Sequence, residues 1–100
     1  MTLKQQQIVN EQIKPYWYNE KKLVKMQTLV SEYVYNDYTI ELKQEQYYFM
    51  NKPDDIRTYK TYVRIYKNGE MMKRRLWYID NPDWEMFVKN FIGGNELNWN

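Results

Sequence analysis

The sequence contains no cysteine, no histidine and a single serine, Ser31. Without cysteine the chain has no disulfide, no thiol nucleophile and no thiolate metal site. Without histidine it has no side chain that titrates near neutrality in its ordinary state and that could act as a general base. Ser31 has no recognisable base partner in the sequence. These absences predict a protein that is not an enzyme.

Acidic and glycine motifs give no stronger sign of chemistry. Asp54–Asp55 in one loop, and Glu41 two residues before Lys43, resemble fragments of a metal-dependent nuclease pattern. Their order along the chain is the reverse of that pattern, which favours a turn and a solvated strand face. Gly93–Gly94 follows a helical pattern instead of opening one, so it is no phosphate-binding loop. We therefore expect no metal and no cofactor.

Long apolar runs are also missing. The first residues, MTLKQQQIVNEQIK, are polar and lack the apolar segment of a secretory signal. No run approaches the length that spans a membrane. We therefore expect a cytoplasmic protein without a membrane partner. One hundred residues suit a single domain, here residues 1–94, followed by a short tail, residues 95–100.

The amino-terminal third has the spacing of helices. Residues 2–14 carry apolar side chains at loose helical spacing, and Pro15 would end this helix. Asn19 is a suitable cap for a second helix, whose apolar positions would be Leu23, Met26, Val30 and Tyr33. An alternative stays open, because residues 28–35 are rich in β-branched and aromatic residues and residues 35–38 suit a tight hairpin turn. The helix to about residue 35 is the preferred prediction.

The remainder has the alternation of strands and one clear helix. Residues 38–50 alternate with Ile40 and Leu42 on one face, and Asn68–Gly69 predicts a hairpin with a type I′ turn. Asn81 would cap a final helix that opens at Pro82 and stops at Gly93–Gly94. The apolar stripe of that helix is Trp84, Phe87, Val88, Phe91 and Ile92. It would cover Ile40, Leu42, Val63, Ile65, Met72 and Leu76.

The predicted fold class is therefore α+β. It has one or two N-terminal helices, an antiparallel meander of three or four strands with the Asn-Gly hairpin, and a short C-terminal helix packed on the sheet. The sequence does not determine the order of the strands in the sheet.

The hairpin concentrates positive charge. Residues 57–75 hold seven basic residues and one acidic residue, a local charge of +6, which leaves −4 for the rest of a chain of net charge +2. With Asn68–Gly69 as the loop, Arg64 would pair with Lys73 and Val63 with Arg74. One face, which we call the basic-aromatic face, then carries Lys60, Tyr62, Arg64, Tyr66, Lys73, Arg75 and Trp77. This register is conditional, because a bulge would exchange the faces of every residue beyond it.

Three interpretations of the basic-aromatic face stay open. It is a solvated structural face if Glu41 and Glu45 of the neighbouring strand pair with Arg64 and Arg75. It is an interface if a protein partner presents an acidic surface. It binds nucleic acid if its cations meet phosphates and its rings stack on bases, which an open, concave face would favour. The oligomeric state is undetermined, and an unpaired aromatic strand edge could support a homodimer.

The order of elements resembles that of small phage-encoded inhibitor proteins, including some anti-CRISPR proteins. The likeness lies in residues 36–42 (NDYTIEL), residues 62–65, Asn68–Gly69 and the helix of residues 84–92, and it covers about residues 36–94. It implies an inhibitor that works by binding, although no site residue carries over. Because the hairpin is basic, the resemblance implies occlusion of an acidic protein surface and not mimicry of DNA. We thus predict a non-enzymatic binding protein of phage or plasmid type, with nucleic-acid binding as the alternative.

Overall fold

Five antiparallel strands and one helix make up the structure, a computed structural model that describes residues 1–93. The strands are β1 (Thr2–Tyr16), β2 (Asn19–Tyr35), β3 (Tyr38–Phe49), β4 (Arg57–Lys67) and β5 (Glu70–Trp77), and the helix is α1 (Trp84–Ile92). The strands form one sheet in the order β1-β2-β3-β4-β5, so that each is paired to the next along the chain. β1 and β5 are therefore the two edges. The predicted tail, residues 95–100, lies outside the described residues.

The prediction of N-terminal helices is wrong, and with it the α+β assignment of three or four strands. Residues 2–16 and 19–35 are strands, because β2 is bonded on both sides, to β1 and to β3. Asn36, at a φ of 52°, and Asp37 form the tight turn that the sequence offered as the alternative, and Tyr35 pairs with Tyr38 across it. The backbone N–H and C=O groups of β2 form hydrogen bonds with the two neighbouring strands. This pairing outweighs the helical spacing of its side chains.

Pro15 lies inside β1 and does not end a helix. It pairs with Leu23 of β2 at the end of an edge strand, where a missing N–H on the outer side removes no bond from the sheet. The same strand is irregular in the middle, where the register shifts between Val9 and Gln12 and Asn10 has a φ of 55°. Such bulges add twist to an edge and reduce its tendency to pair with other chains.

The main core lies between the sheet and α1. Ile40, Leu42, Val63 and Ile65 are buried together against two residues of the helix, Trp84 and Val88. We call this side of the sheet the helix face and the opposite side the open face. The four sheet residues were predicted for this position. Met72 and Leu76, which were predicted to join them, are instead exposed by 46% and 39%.

A bulge in the β4–β5 hairpin explains this difference. Asn68 and Gly69 have the positive φ angles, 50° and 81°, of the predicted turn, and Lys67 pairs with Glu70. The register then shifts between Tyr66 and Ile65, so that Ile65 lies opposite Lys73 and not Met72. Every residue of β5 beyond the shift therefore changes face. Lys73, Arg75 and Trp77 turn to the helix face, and Arg74 and Leu76 turn to the open face.

The start of α1 differs from the prediction by two residues. The side chain of Asp83, and not that of Asn81, caps the helix by accepting the backbone N–H of Met86 at 3.1 Å. Asn81 has a φ of 49° and belongs to the preceding turn. Gly93 closes the helix in the left-handed conformation, with a φ of 95°, as its position after the apolar stripe predicted.

A second cluster, of aromatic rings, lies at the end of the sheet near the β1–β2 turn. Tyr16 and Trp17 contact Tyr47 of β3, and Trp17 also reaches Tyr59 of β4, with ring centroids 4.7 to 6.5 Å apart within the group. Phe49 stands edge-on to Tyr16 at 4.8 Å. Phe49 pairs in register with Val24, which is fully buried. This cluster packs the β1–β2 turn against β3 and β4.

Candidate binding face

The open face of the sheet carries a band of charged and aromatic side chains. Alternation along the strands and the observed register put these residues side by side on three strands: Glu41, Lys43 and Glu45 of β3, Lys60, Tyr62, Arg64 and Tyr66 of β4, and Arg74 and Leu76 of β5. The only helix among residues 1–93 packs on the other side of the sheet. This band is therefore accessible to a partner.

The structure divides the predicted basic-aromatic face between the two sides of the sheet. Lys60, Tyr62, Arg64 and Tyr66 lie on the open face, whereas the other three residues, Lys73, Arg75 and Trp77, lie on the helix face. The prediction that all seven share one surface is wrong, and the β5 bulge is the reason. Their role in binding a partner stays a prediction.

On the helix face, two of these residues belong to the packing of α1. The Trp77 ring stands edge-on to Phe87 with centroids 5.4 Å apart. The guanidinium carbon of Arg75 lies 4.8 Å from the Trp77 ring centroid and 5.7 Å from that of Phe87. A cation stacked on aromatic rings in this way covers apolar surface and keeps its charge near water. Arg75 and Trp77 thus hold the helix against the edge of the sheet.

Two cations of the open face are paired with carboxylates. Arg64 Nη2 lies 2.8 Å from Glu41 Oε1, and Lys60 Nζ lies 3.4 Å from Glu45 Oε2. The sequence offered both glutamates as neutralising partners of the hairpin; Glu41 does pair with Arg64, whereas Glu45 pairs with Lys60 and not with Arg75. Each of these side chains is between 30% and 42% exposed, so each pair contributes at most about 1 kcal/mol to stability. Their main effect is to lower the positive potential of the face.

A groove remains positively charged beside these pairs. It has a volume of about 470 Å³ and is lined by Lys43, Glu45, Lys60, Tyr62, Arg74, Arg75 and Leu76. Arg75 points to the helix face, so the side-chain charges of the groove are those of Lys43, Lys60 and Arg74 against Glu45, three minus one or +2. Lys43 and Arg74 make no ion pair within residues 1–93, and Arg74 lies directly opposite Arg64 in the register. Because Glu41 already pairs with Arg64, the charge that stays uncompensated here is that of Lys43 and Arg74, and it favours a site that an anionic group occupies.

The positive charge of the open face decreases toward β2. A smaller groove of about 200 Å³ shares Lys43 and Tyr62 with the first and reaches Glu32 and Glu41 on β2 and β3. These two carboxylates lie opposite each other in the β2–β3 register, and Lys4 Nζ approaches Glu32 at 3.8 Å. The open face is therefore basic toward β5, whereas toward β2 two carboxylates balance the charges of Lys43 and Arg64. A ligand that matches it would carry charges of both signs.

The predicted site did not include two cations of the groove, Lys43 and Arg74. Lys43 lies on the same alternating face of β3 as Glu41 and Glu45, and that alternation was visible in the sequence, but it was not joined to the hairpin. Arg74 appeared to point toward the core, because the simple hairpin register places it beside Val63. The bulge at Met72 brings it to the open face. The two-residue Asn68–Gly69 turn is compatible with either register, so the sequence carried no distinct signal for this bulge.

Among residues 1–93, no group of three or more acidic side chains could hold a metal ion. No helix in the same part of the chain is long and apolar enough to cross a membrane. Comparison with protein-family models, with curated proteins and with solved structures finds no match to this chain. The resemblance to phage inhibitors thus stays a prediction, and the N-terminal helix in its element order is replaced by strands.

Proposed function

We propose that the chain is a small, non-enzymatic binding protein whose open face engages an acidic surface of a partner protein. The observation that carries this proposal is the groove of about 470 Å³ in which Lys43 and Arg74 make no ion pair with any other residue of the described range 1–93. An inhibitor or accessory role of the phage or plasmid type is the cellular function that we associate with such binding. The assignment of this cellular role rests on the small size of the chain and on the absence of catalytic groups from its sequence.

The mixed charge of the face favours a protein over nucleic acid. A nucleic-acid surface presents phosphates along its whole length, and Glu32, Glu41 and Glu45 would repel them. The pairing of Arg64 and Lys60 further reduces the charge available to phosphates. A protein partner can place its own basic residues beside the glutamates and its acidic residues in the groove. Nucleic-acid binding through Tyr62 and its neighbouring cations is the alternative that the same experiment tests.

The test is a titration of the protein against labelled polyanions. The probes are polyglutamate, single-stranded DNA and double-stranded DNA, matched in total charge and measured at low and at moderate salt. We expect polyglutamate to bind more tightly than either DNA. We also expect Lys43→Glu/Arg74→Glu to remove the binding of polyglutamate, because the double substitution reverses the two unpaired cations of the groove.

A matched control separates the groove from general charge. Lys21→Glu/Lys52→Glu makes the same change of charge at two exposed positions outside the groove and should keep binding. Equal losses in the two double variants would contradict the assignment of the groove. Tight binding of DNA that weakens steeply with salt, and is lost only in the groove variant, would put the nucleic-acid alternative first.

A further inference from the structure

β5 is an edge strand with an unoccupied side. It pairs with β4 alone, and among residues 1–93 no strand or loop backbone pairs with its outer edge. Seven of its eight residues are exposed, and Trp77 is the half-buried one. β1, the other edge, is irregular at three places and carries a proline. β5 has a single irregularity, near its turn, and is regular from Lys73 to Trp77.

The direction of the outer backbone groups of β5 follows from the hairpin. The N–H of Asn68 donates to the carbonyl of Asp37 at 3.2 Å, on the β3 side. Alternation along β4 then directs the N–H groups of Val63 and Thr61 toward β5. The register of β4 with β3 shifts between Lys60 and Thr58, and beyond this shift the N–H of Thr58 donates to the side chain of Asp80, the residue three positions after β5, at 3.0 Å. Arg75 and Trp77 are the partners of Val63 and Thr61, so the backbone N–H and C=O groups of Arg75 and Trp77 face β4.

The residues between these partners present their backbone to solvent. Arg74 and Leu76 direct their N–H and C=O groups away from β4, because residues of a strand alternate in the side to which they bond. Both side chains also line the groove of about 470 Å³ on the open face. The unpaired backbone and the unpaired cation of the groove thus belong to the same short segment of chain.

Charge limits what could add to this edge. Lys73, Arg74 and Arg75 are consecutive, and their side chains alternate between the two faces of the sheet. A second copy of β5 would bring the same three cations against them, which opposes self-association through this edge. A strand with carboxylates on both of its faces would pair with all three cations while its backbone bonded to Arg74 and Leu76.

We propose that β5 accepts an extended acidic segment of a partner protein as a sixth strand of the sheet. This inference rests on the proposed function and adds the geometry of the contact. Strand addition takes its affinity from main-chain hydrogen bonds, and side-chain pockets beside the edge give it specificity. Here Arg74 and the groove next to it supply the side-chain selection.

The test compares two synthetic peptides of equal charge. Each has eight residues, the length of β5, with glutamate and valine in an order that places glutamate on both faces. The second peptide carries N-methyl groups on alternate amides, which removes the donors that would face β5 and leaves the charge unchanged. We expect the N-methylated peptide to bind about tenfold more weakly or worse, because backbone hydrogen bonds to the edge are lost.

Amide hydrogen exchange followed by NMR locates the peptide. Binding should protect the N–H groups of Arg74 and Leu76, while those of Arg75 and Trp77 are already protected in the free protein. Equal affinities for the two peptides would overturn strand addition and leave the proposed function in place. Protection along β1 instead of β5 would also overturn it. If polyglutamate binds and neither peptide does, the inference alone fails; if polyglutamate fails as well, the proposed function fails with it.

Discussion

Thr61 has an unusual environment on β4. Its side chain is fully buried opposite Trp77, and its hydroxyl oxygen has no hydrogen-bond partner among residues 1–93. A buried hydroxyl without a partner lowers stability, because its hydrogen bonds to water are lost on folding and nothing replaces them. Thr61→Val keeps the shape of the side chain and removes the hydroxyl. We expect it to raise the free energy of unfolding by about 1 kcal/mol, measured by urea denaturation.

Thr39→Val is the matched control for this change. Thr39 lies on β3 with a partly exposed side chain, so its hydroxyl can bond to water in the folded state. The control should alter the free energy of unfolding by no more than about 0.5 kcal/mol. A loss of stability in Thr61→Val would mean that the hydroxyl is satisfied in solution, and the interpretation of Thr61 as an unpaired group would be wrong.

Within the core, the apolar residues of β3 and β4 were predicted best from the sequence. Ile40, Leu42, Val63 and Ile65 were assigned to the buried side by alternation, and they are buried. Polar residues of the interior were not predicted, because their burial depends on partners in other strands. Gln27, for example, is buried where its side chain donates to Gln46 Oε1 of β3 at 3.1 Å.

At the scale of elements, β2 shows why helices were expected. It has neighbours on both sides and partly buried residues on both faces, so its side chains do not alternate simply between apolar and polar. Val24 is buried on one face and Ser31 on the other, which hides the period of a strand. The turn at Asn36–Asp37 was the better signal, because it requires a left-handed residue and two strands that meet there.

The bulge in β5 gives a test at the same scale. It sets Tyr62 opposite Leu76, whereas the simple register of the Asn-Gly hairpin sets Tyr62 opposite Arg75. The chain has no natural cysteine, so introduced pairs report on distance alone. We expect Tyr62→Cys/Leu76→Cys to form a disulfide under mild oxidation, because the two side chains lie on one face of neighbouring strands.

The comparison for this test is Tyr62→Cys/Arg75→Cys. In the structure these side chains point to opposite faces, so this pair should stay reduced. Mass spectrometry after alkylation of free thiols distinguishes the two results. Cross-linking of the Arg75 pair and not of the Leu76 pair would restore the simple register and would return Lys73, Arg75 and Trp77 to one face with Arg64.

Across the whole molecule, two layers of contacts stabilise opposite sides of the sheet at different ends. α1 covers the β3–β5 side of the helix face, and the aromatic cluster covers the β1–β2 turn on the other face. The charged groove lies on the open face, in a part that the aromatic cluster does not cover. The sequence showed that charge was concentrated in the hairpin, but its distribution in space depends on five strands in register and on one bulge. For that reason the candidate site was predicted only in part.

Three tyrosines of these layers link stability to pH. Burial raises the pKa of Tyr33, with Glu85 adding to it, and burial likewise raises the pKa of Tyr59 and Tyr47 above the ordinary value of 10.0. The folded state thus holds these protons more tightly than the unfolded state. Their contribution to stability is fully present below pH 10.0 and is lost as the pH rises through the raised folded-state pKa values.

We therefore expect the free energy of unfolding to fall when urea denaturation is repeated above pH 10.0. Lys25 acts in the same direction, because its hydrogen bond with Glu11 raises its pKa. Tyr33→Phe/Tyr47→Phe/Tyr59→Phe keeps the rings and removes the three ionisable groups, so the decline in this variant should be shallower. An unchanged decline would assign the pH dependence to groups outside the two layers, since the rings would then ionise as readily in the folded chain as in the unfolded one.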